Sequence, residues 1–433
     1  MKKILAMALA LVMLFSMAAC SSNTPTPSNG SNEGQPGNQG SGETVSLRVW
    51  GAEEDQALLK DLVEKFKQAY PDQTFDIQIG VESESKAKDD ILTDVTAAAD
   101  VFAFACDQLP DLVAAGALLK LDENMDAALQ NYAKKSLDDV KNENSQGSVG
   151  SATLDGSLYA FPFSADGYFM FYDPSVISAD QAKSWDTLLD AAQSGGKKVG
   201  MTLASGWYLA GFYYGAGFTT ALNADGTTSM DWNGTSPSGV TGTQVTQAAL
   251  KIAAHPAFMP VVDGDSSNQL KSGSLCAIIS GCWDSQVAAE KWGEGYMACR
   301  LPSFMAGDKE VPGGAVASYK LMGVNAHSKN TGWAMLLAEF LSNEESQVAR
   351  YTARQLPPTN IAAASDPAVA ADKGVVGLAD QSENAYLQSA GGKYWDPVKS
   401  FGEQIAQGTI KSDDASVQAA LDDLVAGVTA PLS

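Results

Sequence analysis

Thr44-Val45-Ser46-Leu47-Arg48-Val49-Trp50, with Leu58, Leu59, Leu62, Val63 and Phe66 just downstream, is the stretch that decides the fold. Val45, Leu47 and Val49 alternate with polar residues, the period of a half-buried strand. The second group recurs at helical spacing until Pro71 ends it. Phe75, Ile77 and Ile79 alternate again, Ile91, Leu92 and Val95 fit a second helix, and Asp100-Val101-Phe102-Ala103-Phe104-Ala105 reads as a buried strand. Strands alternating with helices predict an α/β fold whose sheet is largely parallel and covered on both faces. Ligands of such sheets bind beyond the carboxyl ends of the strands. Trp50 with Glu53 and Glu54, and Phe104 with Asp107 and Gln108, are therefore expected on one rim.

Further along, Asp155-Gly156 makes a turn, and Ser157-Leu158-Tyr159-Ala160-Phe161-Pro162-Phe163 follows as a strand. It passes through the polar Ser164-Ala165-Asp166-Gly167 into the apolar Tyr168 to Tyr172. That polar break predicts a crossing between two lobes, because a few residues at element ends can absorb a hinge motion. Ser184 is placed to cap a helix that begins at Trp185, and Leu275 to Ser280 reads as a further strand leading to Gly281-Cys282-Trp283-Asp284. Trp333, Leu336, Leu337, Phe340 and Leu341 predict one amphipathic helix from Thr331 to Arg354, closed by Pro357 and Pro358.

A hydrophobic share of 45% with 18% charged residues is that of a folded globular chain. Lys and Arg number 28 against 51 Asp and Glu, a formal charge of -23, which repels nucleic acid phosphates and anionic headgroups. At the start, Lys2 and Lys3 precede an apolar run from Ile4 to Phe15, too short to span a bilayer permanently and typical of an export signal. Met17-Ala18-Ala19-Cys20 then resembles a lipoprotein processing site, which implies that the Cys20 thiol carries a diacylglyceryl anchor in the membrane. Residues 21–44 are almost wholly Ser, Asn, Gly, Gln, Thr and Pro, a composition that cannot bury a core. A coil of about 24 residues reaches roughly 25–30 Å root-mean-square, enough to hold a domain off the membrane surface. The other cysteines, Cys106, Cys276, Cys282 and Cys299, sit in apolar contexts that suit small buried thiols, with a bridge from Cys276 or Cys282 to Cys299 left open. Two histidines and no Cys-x-x-Cys give no metal site, and no cofactor is expected.

Several segments together resemble the bacterial extracellular solute-binding proteins for oligosaccharides, most nearly the maltose/maltodextrin-binding branch. They stand in family order: Leu47-Arg48-Val49-Trp50; Ala99-Asp100-Val101-Phe102 running to Leu118-Leu119; Gly156 to Pro162; and Ser184-Trp185-Asp186. Lys271-Ser272-Gly273 leading into Gly281-Cys282-Trp283, Leu301-Pro302-Ser303-Phe304 and Lys393-Tyr394-Trp395 complete them. The resemblance implies a periplasmic-binding-protein-like fold: two α/β lobes joined by a multi-strand hinge, closing on a glycan. By family pattern residues 45–164 with 311–357 form the N-terminal lobe and residues 165–310 with 358–433 the other. It also implies a monomer that delivers its ligand to the permease of an ABC transporter.

A glycan site needs aromatic platforms for the C–H faces of sugars and carboxylates or amides for their hydroxyls. Trp50, Trp207, Tyr208, Trp283, Tyr394 and Trp395 are the candidate platforms, and Glu53, Glu54, Asp107, Gln108 and Asp166 the candidate hydroxyl partners. The resemblance singles out Trp283 and Trp395 as stacking tryptophans, Trp207 or Tyr208 at the place of a stacking tyrosine, Asp107 as the hydroxyl-binding aspartate, and Asp166 at the place of a glutamate. Gln108 and Phe104 stand where that branch often carries Arg and Trp, so the subsites near them are expected to be remodelled. Trp185, Trp292 and Trp333 are read as structural.

Two rival functions share part of this pattern. A glycoside hydrolase needs two carboxyl groups about 5–10 Å apart across one bond, and nothing in the sequence marks such a pair. Gly-x-Ser-x-Gly and His-Glu-x-x-His are absent from the sequence, so no catalytic residues are assigned. A cell-surface adhesin for polymeric glycan, or a receptor for a different oligosaccharide, would carry the same aromatics and carboxylates.

Overall fold

The computed structural model describes residues 43–431 except 224, 294, 388 and 392. The expected signal segment, Cys20, and all but the last two residues of the expected linker lie outside the described residues.

The opening stretch folds as read. Strand β1 (Val45–Gly51) buries Val45, Leu47 and Val49, and helix α1 (Gln56–Ala69) turns Leu59, Leu62, Val63 and Phe66 onto the sheet. Strand β2 (Phe75–Val81) pairs parallel to β1, Leu47 opposite Ile77. A short helix α2 (Ala87–Thr93) leads to β3 (Val101–Ala105), all five of whose residues are buried and which is parallel to β1 on its other edge. β4 (Ala160–Asp166) and β5 (Tyr168–Tyr172) are separated by Gly167 alone.

A second sheet forms from β5 with β6 (Lys198–Met201), β7 (Phe258–Pro260), β8 (Leu275–Gly281) and β9 (Met297–Cys299), in the order β7-β6-β8-β5-β9. The long β10 (Ala315–Val324) and the short β11 (Ala385–Leu387) complete the first, in the order β11-β10-β3-β1-β2 with β4 also on β10. The strands of the strand-helix-strand units run parallel. β10 instead runs antiparallel to β3 and β4, and β5 antiparallel to β8 and β9.

Two hydrophobic cores result, and the chain passes between them inside β-structure. Phe161 and Phe163 of β4 belong to one core, whereas Tyr168 to Tyr172 belong to the other. On β10, Ala315 and Val316 pack in the second core and Leu321, Met322 and Val324 in the first. The two crossings lie side by side, with Ser318 opposite Asp166 and Lys320 opposite Ser164. A third segment joins them where the Ala165 amide donates to the Pro357 carbonyl at 2.8 Å.

The expected single helix from Thr331 to Arg354 is two. It ends at Ser342, and Asn343 caps the next helix, Glu344–Arg354, by accepting from the Ser346 amide at 3.0 Å. An Asn cap followed by Glu344 and Glu345 in the first turn starts a helix more favourably than it continues one. All four described cysteines are free thiols, so no bridge joins Cys276 or Cys282 to Cys299. Among the described residues no helix is long and apolar enough to cross a membrane, and no cluster of three or more His, Cys, Asp or Glu is placed to hold a metal ion.

Candidate functional site

Where the strands cross, a cleft of about 570 Å³ opens, with Ser164, Ala165 and Asp166 of β4 and Ser318 and Lys320 of β10 among its lining residues. Trp207, Trp283 and Trp395 also line it, as do Asp107, Gln108 and the loop and helix carrying Glu84, Ser85, Lys88 and Asp89.

The three tryptophans reach the cleft from element ends. Trp207 is in the first turn of the helix Gly206–Gly215, Trp283 sits on the 3₁₀ turn Cys282–Asp284 after β8, and Trp395 opens the helix Trp395–Gln407. Each is part-buried, with some of its surface left on the cleft. The Trp207 and Trp283 rings lie 5.8 Å apart at 34°. Trp283 folds back over Gly281, where a Cβ would come within 2.0 Å of the ring, so only glycine permits this pose. Beneath it the buried Asp284 accepts hydrogen bonds from Ser267 and, at 2.6 Å, from Ser280, fixing the turn. Trp395 packs against Gly206, whose missing side chain makes room for both Tyr394 and Trp395.

The polar wall is built around Lys320. Its Nζ lies 2.9 Å from Oδ2 of Asp166. Burial works against the ammonium, but Asp166, Glu84 and Asp107 outweigh it and hold the group above the ordinary lysine range. Asp107 follows β3 on the 3₁₀ turn Cys106–Gln108, and burial raises its carboxyl above the usual aspartate value despite the nearby Lys320 and Lys88. Gln108 is a scaffold: its Nε2 donates to the Glu84 and Ser85 carbonyls at 2.9 Å, and its Oε1 accepts from the Lys88 amide at 3.0 Å. Its amide is thereby spent on shaping the loop that carries Glu84.

Of the residues singled out from sequence, Asp107, Gln108, Asp166, Trp207, Trp283 and Trp395 come together in the cleft. The others do not line it. Phe104 is fully buried, with its ring 5.7 Å from that of Phe102, because β3 is covered on both faces and every residue in it is buried. Tyr394 is 2% exposed and donates its hydroxyl hydrogen to the Gly206 carbonyl at 2.8 Å. Tyr208 is likewise buried, its ring 4.8 Å from that of Tyr168, and burial pushes its hydroxyl well above the ordinary tyrosine range. Trp50 lies along the neighbouring Gly80 of β2 and is part of the sheet's packing. Glu53 and Glu54 are exposed on a 3₁₀ turn; the next residue, Asp55, points inward and pairs with both Arg350 and Arg354.

Sequence reasoning missed Glu84, Lys320 and Arg354. Lys320 had a readable signal, a lone cation inside the apolar run Ala315 to Val324, since unpaired lysine is scarcely ever buried. Glu84 follows the carboxyl end of β2, the same kind of rim position as Asp107. Arg354 ends a helix just before Pro357, and nothing local marks it.

Comparison with known proteins gives the family. A family profile described as "Bacterial extracellular solute-binding protein" matches residues 61–376. The galactooligosaccharide-binding protein of Bacillus subtilis (strain 168) is 26% identical over 438 residues, covering 97% of this chain and 96% of that protein. A solved chain described as being with acarbose is 30% identical, covers 89% of this chain and 99% of its own, and superposes with a TM-score of 0.76. A maltodextrin binding protein from L. casei BL23, solved without ligand, shares the fold at 24% identity and a TM-score of 0.73 over 90% of this chain and 100% of its own. With the profile spanning well over half of the sequence, the chain belongs to the bacterial extracellular solute-binding proteins, a family of receptors and not of enzymes.

Proposed function

We propose that this protein is the extracytoplasmic binding component of an ABC importer for oligosaccharides of the maltodextrin or galacto-oligosaccharide kind. The observation that carries the reading is the cleft itself: Trp207, Trp283 and Trp395 line it together with Glu84, Asp107, Asp166 and Lys320. Indole faces stack on the C–H faces of sugars, and the charged groups take their hydroxyls. The 30% identical chain solved with acarbose and the galactooligosaccharide-binding relative support the ligand class.

The lobes follow the division expected from sequence, residues 45–164 with 311–357 and residues 165–310 with 358–433, except that Val311, Ala315 and Val316 pack with the second core; the hinge is where β4, β10 and the segment at Pro357 run together. A glycan held first on one lobe gains contacts from the other only when the cleft closes, so the closed population rises with that differential affinity. The closed form is what the permease receives. Cys20 is the lipid anchor, and the segment 21–44 keeps a monomeric receptor at high effective concentration beside its transporter. Calorimetric titration with maltotriose, β-1,4-galactotriose and xylotriose, with X-ray scattering of the free and loaded protein, tests the reading. Binding of a soluble trisaccharide with a fall in radius of gyration is expected, whereas attachment only to insoluble polymer makes it an adhesin.

A further inference from the structure

The charged groups of the cleft are committed unequally. Each of its three cations already has a carboxylate partner: Lys320 has Asp166 at 2.9 Å, Lys88 has Asp111 at 2.9 Å, and Arg354 has Asp55. Asp55 and Asp111 stand outside the lining, so two of the three cations are neutralised from behind. Glu84, Asp89 and Asp107 also line the cleft, yet among the described residues their side chains make no ion pair and take no hydrogen bond from another residue. Lys320 feels Glu84 and Asp107 as well as its partner Asp166, and Lys88 feels Asp89 and Asp107 as well as its partner Asp111, so each cation serves more carboxylates than it pairs with.

We infer that this arrangement is a charge filter: the cleft accepts neutral oligosaccharides and rejects those carrying carboxylates, the uronic acids. The inference rests on the oligosaccharide reading and adds to it the class of sugar. A neutral glycan brings hydroxyl hydrogens, which Glu84, Asp89 and Asp107 lack from the protein. An acidic glycan brings further anions to cations that each already have a carboxylate partner, facing Glu84, Asp89 and Asp107, which pair directly with none. Like charges brought within a few ångströms in a partly desolvated cleft repel strongly, and specificity of this kind is built from the repulsive element. Lys320 and Arg354 would by themselves suggest an anion site; Asp166 and Asp55 are what prevent one.

The test compares maltotriose and β-1,4-galactotriose with the same trisaccharides after oxidation of each primary alcohol to a carboxylate, by calorimetry at neutral pH. The expected result is binding of at least one neutral sugar and about 100-fold weaker binding of its oxidised form, as like-charge repulsion in such a setting requires. The variant Glu84→Gln with Asp89→Asn keeps the shape of the wall and removes two charges, and it should close that gap by about tenfold or more. Asp111→Asn, which frees Lys88 from outside the cleft, should narrow it too. Oxidised and neutral sugars binding within a few-fold of each other, or a gap that the charge-removing variants leave unchanged, overturns the filter while leaving the oligosaccharide reading intact. Failure of every neutral sugar to bind overturns that reading and the filter with it.

Discussion

Lys320 and Asp166 meet at 2.9 Å on adjacent antiparallel strands at the point where the chain passes from one hydrophobic core to the other. The pair ties the two crossings together and sets the charge at the floor of the cleft. Both side chains are largely shielded, and Asp166 is the foremost of the carboxylates that keep the Lys320 ammonium charged against its burial. Lys320→Met leaves Asp166 with only the Gly167 amide, and Asp166→Asn leaves Lys320 facing Glu84 and Asp107. Removing one partner of such a partly buried pair is expected to cost about 1–3 kcal/mol, less than for a fully buried pair because some water reaches it. Urea unfolding of Lys320→Met, with the wild-type m-value retained, measures this; an unchanged midpoint would show that the pair does not hold the crossing.

Asp55 carries the opposite lesson for its neighbours. It and Arg350 are nearly inaccessible, Arg350 also lies 3.4 Å over the Phe163 ring, and Arg354 shares the same carboxylate. Asp55→Asn is expected to destabilise by about 3–5 kcal/mol, the usual cost of stranding a buried charge. Glu53→Gln and Glu54→Gln, on exposed side chains one and two residues away, should fall within about 0.5 kcal/mol of wild type. Thermal unfolding of the three variants separates them, and equal midpoints would sink the assignment.

The β1-α1-β2 unit, the buried β3 and the crossing at Ser164 to Gly167 were legible because each depends on a local period or a local polar break. The place of Trp283 and Trp395 on the cleft wall was legible through their resemblance to a known family. Orientation was not legible. Phe104 and Asp107 are three residues apart, and the first sits in a strand covered on both faces while the turn after it brings the second to the cleft. Tyr394 and Trp395 are adjacent, yet the first is fixed inside by Gly206 and the second lines the cleft. The acid of the Glu53-Glu54-Asp55 turn that matters is the one facing Arg350, which lies almost three hundred residues away in sequence.

Gln108 is expected to act on ligand binding only through the loop it holds. Gln108→Ala removes three hydrogen bonds to the backbone at Glu84, Ser85 and Lys88, worth about 1 kcal/mol each at most. The variant should lose stability and exchange the amides of residues 84–88 faster, with a weaker glycan affinity following from a displaced Glu84. Hydrogen exchange resolves the two effects: unchanged protection with lost affinity would make Gln108 a direct ligand contact instead.

Asp107 gives a pH dependence with a definite sign. Burial raises its pKa above the ordinary aspartate value, so the folded protein pays for the ionised form at higher pH and is relieved as pH falls through the raised pKa. In the proposed reading, ligand hydroxyls donate to the ionised form. Affinity should therefore fall on acidification at a pH above the ordinary value of about 3.9, while the stability of the free protein does not fall from this group. Asp107→Asn should bind more weakly at neutral pH and lose that acid limb; a limb that persists in the variant assigns the titration elsewhere.

The account stands or falls on the platforms. Calorimetry of the trisaccharide that binds the wild type best, repeated on Trp283→Ala, Trp395→Ala and the double variant, tests it most directly. Each single change is expected to weaken binding about tenfold or more, ~1.4 kcal/mol, and the double change to abolish detectable binding, while the protein stays folded at the titration temperature with a midpoint lowered by the packing each ring gives up against the second core. Wild-type affinity in the double variant would place the glycan somewhere other than the cleft between the crossing strands.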